Sequence, residues 1–391
     1  MSTVTVAKPR RSAASDVTAR AYRVCTRCVM DTTDAEIRFD ERGHCNHCTD
    51  CFERARRELL QPEEAKRKLD VLVERIRRAG KNREYDCIIG VSGGVDSAYT
   101  AYAVKRLGLR PLAVHLDNGW NSELAVDNIK HTLEILGIDL FTHVIDWPEF
   151  RDLQLSFLKA SVPDTEMPTD HAIFAVLLNT AYQRGIRYVL TGSNIATEAI
   201  MPPSWNHNKW DLKHLRAIHG QFGTRKLHTF PQLGAARFLY YVLVKRIKYV
   251  PILNLLGYDK QLAKEAITKE LGWRDYGGKH FESVFTRFYQ GYILLRKFGY
   301  DKRRAHLSTL ICAGTITRDE ALCELEKGPY DGYDLEGETQ YVAKKFGLSV
   351  ETFEELLRRP PKRHLDYPAN RLLFHRLHGL RAMVKEIART G

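Results

Sequence analysis

The chain has 391 residues, 44% hydrophobic and 28% charged, with a formal net charge of +12. Those proportions exclude a disordered, collagen-like or small disulfide-stapled chain and leave room for roughly two or three globular domains. The positive balance favours polyanionic partners (nucleotides, phosphorylated sugars, nucleic acid or an anionic membrane surface), although any one lysine reads equally well as solvated surface.

In chain order, residues 1–21 read as a flexible arm. They lack the apolar core of a secretory signal, so a cytoplasmic location is expected. Residues 22–55 read as a zinc ribbon. Cys25 and Cys28 form one knuckle and Cys45 and Cys48 a second, sixteen residues further on. Each knuckle brings two thiolates to one tetrahedral ion, which clamps a segment too small for a core of its own. Cys51, His44 and His47 are spare ligands, so an iron–sulfur cluster competes with Zn²⁺. Residues 53–81, rich in Arg, Lys, Glu and Leu at helical spacing, predict one long amphipathic helix, with residues 56–84 linking ribbon to core.

From residue 85 to 258 strand and helix patterns alternate, which predicts an α/β fold with a doubly wound parallel sheet. The apolar run CIIG at residues 87–90 fits a strand buried on both faces. Val91, Ser92, Gly93, Gly94, Val95, Asp96 and Ser97 follow, and then a helical pattern. A strand, a double-glycine turn and a helix start make an anion site: backbone N–H groups and the positive end of the helix dipole converge on a phosphate. Ser92 and Ser97 add hydroxyl donors, and Asp96 supplies a carboxylate suited to Mg²⁺. No Lys–Ser/Thr follows, so this is not the Walker pattern. Asp117 and Asn118 close a second strand, and Gly192, Ser193 and Asn194 a fourth. In such a sheet ligands lie at the carboxyl ends of the strands, which puts all three stretches at one nucleotide pocket.

A third strand is expected over residues 140–145, then an irregular stretch, then a helix over 171–184. Between them lies DTEMPTDH, residues 164–171. There Thr169 or Asp170 reads as a helix N-cap, and Asp170 and His171 also read as substrate contacts. Residues 202–211, PPSWNHNKWD, read as a loop over the site whose tryptophans stack on a sugar or base, or else pack internally. Residues 238–256 are very apolar but interrupted by Lys245, Arg246, Lys248 and Pro251. They cannot comfortably span a bilayer and read as a core helix or as a surface that docks on a membrane or a partner.

Residues 259–391 predict an all-helical region, with a capping box at Thr317–Glu320 and helices over 281–298 and 371–389 among others. A dense polar cluster lies inside it. Lys279, Arg287 and Arg303 suit triphosphate or a substrate anion, with Lys279 and Arg303 as catalytic candidates beside Asp96. His280, Glu282, Lys302 and Arg304 are further substrate-binding candidates. The alternative is a charged helix surface.

The hexapeptide SGGVDS resembles the PP-loop of the ATP pyrophosphatases. Together with CTRCVMDTT…CNHC, HLDNGWNSELAVDNI, MPTDHAI, LTGSNIATE and GGKHFESVFTRFYQGY…FGYDKRRAHLS, it resembles the N-acetyl sugar amidotransferases of bacterial surface-polysaccharide (O-antigen) biosynthesis. The likeness covers roughly residues 22–330. It implies ATP-dependent conversion of an acetamido group on a nucleotide-linked N-acetyl sugar to an acetamidino group through an O-adenylated imidate. It also implies ATP, Mg²⁺ and structural Zn²⁺ as cofactors. Ammonia would come from a separate glutaminase, with or without a cyclase-like channel subunit, since no glutaminase signature is visible here. Nucleic acid is not an expected partner on this reading, while a homo-oligomer is compatible with it. The competing reading is a PP-loop tRNA-modifying enzyme, a thiolase or lysidine-type ligase, suggested by the basic charge and the metal ribbon.

Overall fold

The computed structural model describes residues 21–278 and 281–370. The N-terminal arm up to residue 20, the helix expected over 371–389, and Lys279 and His280 lie outside the described residues. The elements run α1 (Asn46–Glu58), α2 (Pro62–Gly80), β1 (Cys87–Gly90), α3 (Val95–Arg106), β2 (Pro111–Asp117), α4 (Glu123–Leu136), β3 (Leu140–Val144), α5 (Trp147–Ala160), α6 (Met167–Gln183), β4 (Tyr188–Thr191), α7 (Ile195–Glu198), α8 (Leu212–Phe222), α9 (Ala235–Leu239) and β5 (Lys248–Pro251). Helices α10 (Lys260–Leu271), α11 (Val284–Phe288), α12 (Arg303–Cys312), α13 (Arg318–Glu326), α14 (Leu335–Phe346) and α15 (Val350–Arg358) follow among the described residues.

The sheet is parallel throughout, in the order β3-β2-β1-β4-β5. Its central strands alternate with period two. Ile88, Leu112, Val114 and Val189 face α6, packing with Ala175, Leu178 and Ala181. Cys87, Ile89, Ala113 and Leu190 face the other way, against Val73 and Ile76 of α2 and Ala101 and Val104 of α3. Both faces are covered, which is why the strands read as unbroken apolar runs. The chain reverses its winding between β1 and β4, the switch point at which ligands gather in such sheets.

The long helix expected over residues 53–81 is two helices. Pro62 takes the first position of α2, where its missing N–H costs nothing, and it cannot continue α1. The irregular stretch after β3 contains α5, capped by Asp146 with Pro148 in its first turn. The core helix expected over 238–256 is absent. Five residues of α9 pass into π-helical turns at Tyr240–Val244, Arg246 takes a left-handed φ of 55°, and the chain then enters β5. The β-branched and aromatic run Tyr249-Val250 pairs with β4 at the sheet edge, where Pro251 is tolerated as the terminal residue. Likewise, the helix expected over 281–298 is a short α11 followed by π-helical turns at Tyr289–Phe298.

The capping box at Thr317 is formed with Glu320. The C-terminal helices and α5 share one apolar core built around Trp120, Phe150, Phe285, Phe288, Phe346 and Phe353. The N-terminal segment docks on these helices. Val29 N–H donates to Ser308 Oγ at 3.1 Å, Arg318 donates to the carbonyls of Cys25 and Cys28, and Arg304 pairs with buried Asp31 at 2.9 Å.

Candidate active site

A cavity of about 380 Å³ opens at the carboxyl ends of β1, β2 and β4. Val91, Ser92, Asn118, Gly192 and Ser193 line it, as do Asp170 and Lys302. The glycine turn beside it is held from several sides. Gly93 has φ +83°, and a Cβ there would stand 2.5 Å from the Ala125 carbonyl oxygen, so only glycine lets the turn pack against α4. A Cβ on Gly192 would meet the Asp96 carbonyl oxygen at 2.9 Å, which brings the end of β4 against the loop. Ser97 Oγ accepts from Ser92 N–H at 3.2 Å and donates to Gly94 O at 2.9 Å, fixing the loop from inside. Trp273 Nε1 donates to Gly93 O at 2.9 Å, and Val95 N–H donates to the Tyr276 hydroxyl at 3.3 Å. The Asp96 carboxylate accepts from the Tyr258 hydroxyl. Trp273, Tyr276 and Tyr258 are loop supports that no sequence motif signals.

The far wall of the cavity comes from the C-terminal helices: Glu282, Ser283, Thr286 and Gln290 line it along with Lys302. Opposite them is the start of α6. Thr286 Oγ1 donates to Glu166 Oε1 at 2.6 Å. Burial, reinforced by the charge of Asp170, pushes the Glu166 carboxyl up to about 7. Asp170 pairs with Lys209 at 3.0 Å, and Lys209 also binds the buried Asp164. Burial pulls Lys302 below its ordinary value, with Glu166 opposing that shift. The Thr169 hydroxyl, buried at this wall, has no hydrogen-bond partner among the described residues. His115 also lines the site. Its Nδ1 lies 2.9 Å from Val91 O and its Nε2 3.1 Å from Asn121 Nδ2, which sets the proton on Nδ1. Glu166 and His115 escaped the sequence reading, although the i, i+4 spacing of Glu166 and Asp170 places both carboxyls on one helix face.

Several expected site residues lie elsewhere. Helix α6 begins at Met167 with Glu166 as its cap residue, so Thr169 and Asp170 are inside its first turn and neither is the N-cap. His171 is buried with both ring nitrogens engaged, Nδ1 with Lys209 O at 2.7 Å and Nε2 accepting from Leu233 N–H at 3.2 Å. Asn194 caps α7, accepting from Thr197 N–H. Asp117 caps its own turn, accepting from Gly119 N–H at 2.9 Å. Arg287 points to Glu338 rather than into the cavity. Arg303 is held bidentate by Asp301 and donates to carbonyls ending α13, which makes it a clamp between helices. Arg304 holds Asp31 and Val29 O. Trp205 is buried and stacks on Tyr300 at 4.4 Å, and Trp210 packs on Phe238 at 4.0 Å, so the PPSWNHNKWD stretch is internal packing.

The four cysteines Cys25, Cys28, Cys45 and Cys48 are buried together. Their sulfurs all lie within 4.8 Å of one another, with Cys25–Cys48 at 3.8 Å and Cys28–Cys45 at 3.6 Å. Zn–S bonds of about 2.3 Å set the edge of a tetrahedron at about 3.8 Å, so the set fits zinc. The N–H groups of Cys28 and Cys45 donate to Cys25 Sγ, and Arg27 donates to Cys48 Sγ, as thiolates require. The spare ligands turn away: Cys51 faces Cys312, His47 binds Asp34 at 2.5 Å, and His44 lies 3.5 Å from Asp40.

A second cluster, His207, His214 and His364, is self-satisfied. Asp164 N–H donates to His364 Nε2 at 3.1 Å. That leaves the proton on His364 Nδ1, which lies 3.0 Å from His214 Nε2. The His214 Nδ1 proton then points to Pro368 O at 3.3 Å. A metal on His364 Nδ1 would need that proton moved to Nε2, against the Asp164 N–H.

Residues 282–381 match the family model described as LPS biosynthesis protein WbpG-like, C-terminal domain. A curated relative, tRNA-5-methyluridine(54) 2-sulfurtransferase of Pyrococcus horikoshii, is 28% identical over 138 residues, covering 34% of this chain and 42% of the relative's length. Among solved structures, NMN synthetase from Francisella tularensis aligns at 16% identity with a TM-score of 0.28, covering 59% of this chain and 93% of that one. NH3-dependent NAD synthetase from Campylobacter jejuni aligns at 14% identity with the same TM-score of 0.28, covering 56% of this chain and 100% of that one.

Proposed function

We propose that this protein, whose residues 282–381 match the WbpG-like C-terminal domain of lipopolysaccharide biosynthesis, is an ATP-dependent amidotransferase acting on a nucleotide-linked N-acetyl sugar. One observation carries the reading. The end of β1, where it enters the SGGVDS turn, and the matched segment wall the same cavity, Val91 and Ser92 (the first residue of the turn) from one and Glu282, Ser283, Thr286, Gln290 and Lys302 from the other.

On this reading the acetamide oxygen attacks the α-phosphate of ATP and the bond to pyrophosphate breaks, giving an O-adenylated imidate. Ammonia then attacks the imidate carbon, the carbon–oxygen bond breaks, and AMP leaves carrying the acetamide oxygen. An amide carbon is a poor electrophile, and converting its oxygen into an AMP leaving group removes that obstacle. What remains for the chain is positioning and charge stabilisation. The glycine turn and the start of α3 hold the phosphates, with Ser92 donating. Asp96 and the loop serines offer the hard oxygen donors that Mg²⁺ takes, and that ion, when bound, neutralises charge on departing pyrophosphate. Lys302 adds a cation on the opposite wall. Glu166, poised near 7, takes the proton that the attacking nitrogen loses as the carbon–nitrogen bond forms. A separate glutaminase supplies the ammonia, and Zn²⁺ on the four cysteines stabilises the ribbon.

Incubation with ATP, Mg²⁺, ammonium chloride and a panel of UDP-linked N-acetyl sugars tests this. Mass spectrometry should find a sugar in which one oxygen is replaced by NH, with AMP in equal amount. The similarity to a tRNA sulfurtransferase keeps a second reading in view. Sulfur transfer needs a cysteine beside the loop, and none of the described residues lining the cavity is one, while Cys87 is buried inside β1. AMP formation that requires added tRNA and no sugar would establish that reading instead.

A further inference from the structure

Residues 212–258 contain eight lysines and arginines and no aspartate or glutamate. This acid-free stretch therefore holds most of the net +12 of the chain. It includes the segment where the expected core helix failed to form. There Tyr241 and Ile247 are buried, but Tyr240, Leu243 and Val244 are 40%, 52% and 63% exposed. The chain then turns through the left-handed Arg246, so that Lys245, Arg246 and Lys248 stand exposed directly beside them. Lys245 Nζ lies 5.4 Å from the Tyr240 ring centre and 5.6 Å from that of Tyr182, fixing cation and aromatic ring side by side. The strand that follows, β5, is the edge of the sheet.

We propose that this tip, Tyr240 to Lys248, seats the protein on an anionic phospholipid surface. Scattered exposed apolar residues on a protein need no explanation. Here two exposed aliphatic side chains end one π-helical segment, an exposed aromatic ring begins it, and three cations follow within four residues. Aliphatic groups enter the acyl boundary, tyrosine sits at the headgroup level, and lysine and arginine reach anionic headgroups. A nucleic-acid surface would reward the cations and the ring, yet it would leave Leu243 and Val244 in water. No helix among the described residues is long and apolar enough to cross a membrane, so the contact lies on the surface and does not span it. The tip lies outside the residues assigned above to catalysis, so the proposal stands apart from the reading of the cavity.

The test is co-sedimentation of the full chain with vesicles of phosphatidylglycerol mixed into phosphatidylcholine, and with phosphatidylcholine alone. Binding to the anionic vesicles is expected, weakened by salt, with little binding to the neutral ones. Leu243→Ser with Val244→Ser should weaken it about tenfold, and Lys245→Glu with Lys248→Glu by more than that. Circular dichroism and ATP binding of both double variants should match the parent. Equal binding of parent and variants overturns the proposal, as does equal binding to neutral vesicles. Vesicle binding abolished by stoichiometric tRNA but unchanged by Leu243→Ser with Val244→Ser would also overturn it, assigning the tip to nucleic acid.

Discussion

At the scale of single residues, the site divides into groups visible in the sequence and groups placed by folding alone. The glycine turn Ser92-Gly93-Gly94 was legible as an element because it stands between a buried strand and a helix, and of its residues Ser92 lines the cavity. Glu166 was not, because its i, i+4 spacing with Asp170 shows a shared helix face but not burial; burial and the nearby Asp170 give it its character. Arg303 looked catalytic because it is basic and close to glycines in sequence, whereas its fork is filled by Asp301. Lys302, one position earlier, is the member of the pair that lines the cavity. Two substitutions follow. Asp96→Ala should leave the fold intact and lower AMP formation by at least ~10²; unchanged turnover would remove the loop from the chemistry. Glu166→Gln should reduce amidine formation by ~10²–10⁴. Glu166 works as a base only when ionised, so parent activity should rise with pH through about 7 and the variant should lose that limb. A variant with the parent pH profile would rule out the proton role.

At the scale of elements, cysteine spacing gave the ribbon its four ligands, since a CxxC knuckle imposes its own geometry with no help from the rest of the chain. The segment over 238–256 shows the opposite. Its apolar composition fits helix and strand equally, and pairing with β4, a contact remote in sequence, decides the outcome. The linking helix failed for a local reason that could have been read, the proline at position 62. The ribbon should carry one zinc per chain by elemental analysis, and iron in its place would contradict the assignment. Cys25→Ser with Cys48→Ser should abolish metal binding and expose the surface of α12 and α13 that Val29 covers, read as faster proteolysis of the N-terminal segment. Arg304→Ala keeps the cysteines but removes the charged partner of buried Asp31, which retains hydrogen bonds only from Tyr22 and Thr33 among the described residues. It should destabilise the docking by ~3 kcal/mol or more and speed zinc loss to a chelator.

At the scale of the whole molecule, the parallel sheet with both faces covered was legible from alternating strand and helix patterns. The joining of the C-terminal helices to the cavity was not, because it depends on contacts between residues more than a hundred positions apart, such as Thr286 with Glu166. The histidine cluster ties such distant pieces too, linking α8 to the segment at His364. Burial holds His214 at about 4 and His364 at about 3, against an ordinary 6.5, among Asp164, Asp211, His207 and Lys209. Both folded values lie below the unfolded one, so the neutral cluster contributes its full stability above pH 6.5. That stability falls as the pH drops from 6.5 towards 4, because the unfolded chain takes up protons that the folded one refuses. For His214 alone the loss is up to about 3 kcal/mol. Thermal denaturation across this range should show the fall, and His214→Gln should make it shallower, leaving the part that His364 contributes; a parent curve with no fall over that interval would contradict these assignments.

The most direct test of the central claim is to follow the acetamide oxygen. With ATP, Mg²⁺, ammonium chloride and a nucleotide-linked N-acetyl sugar carrying heavy oxygen in its acetamido groups, AMP should carry one labelled oxygen. Pyrophosphate should carry none, and the amidine product should form in equal amount. Amidine formed with unlabelled AMP, or the label recovered in pyrophosphate or water, would contradict adenylation of the acetamide oxygen.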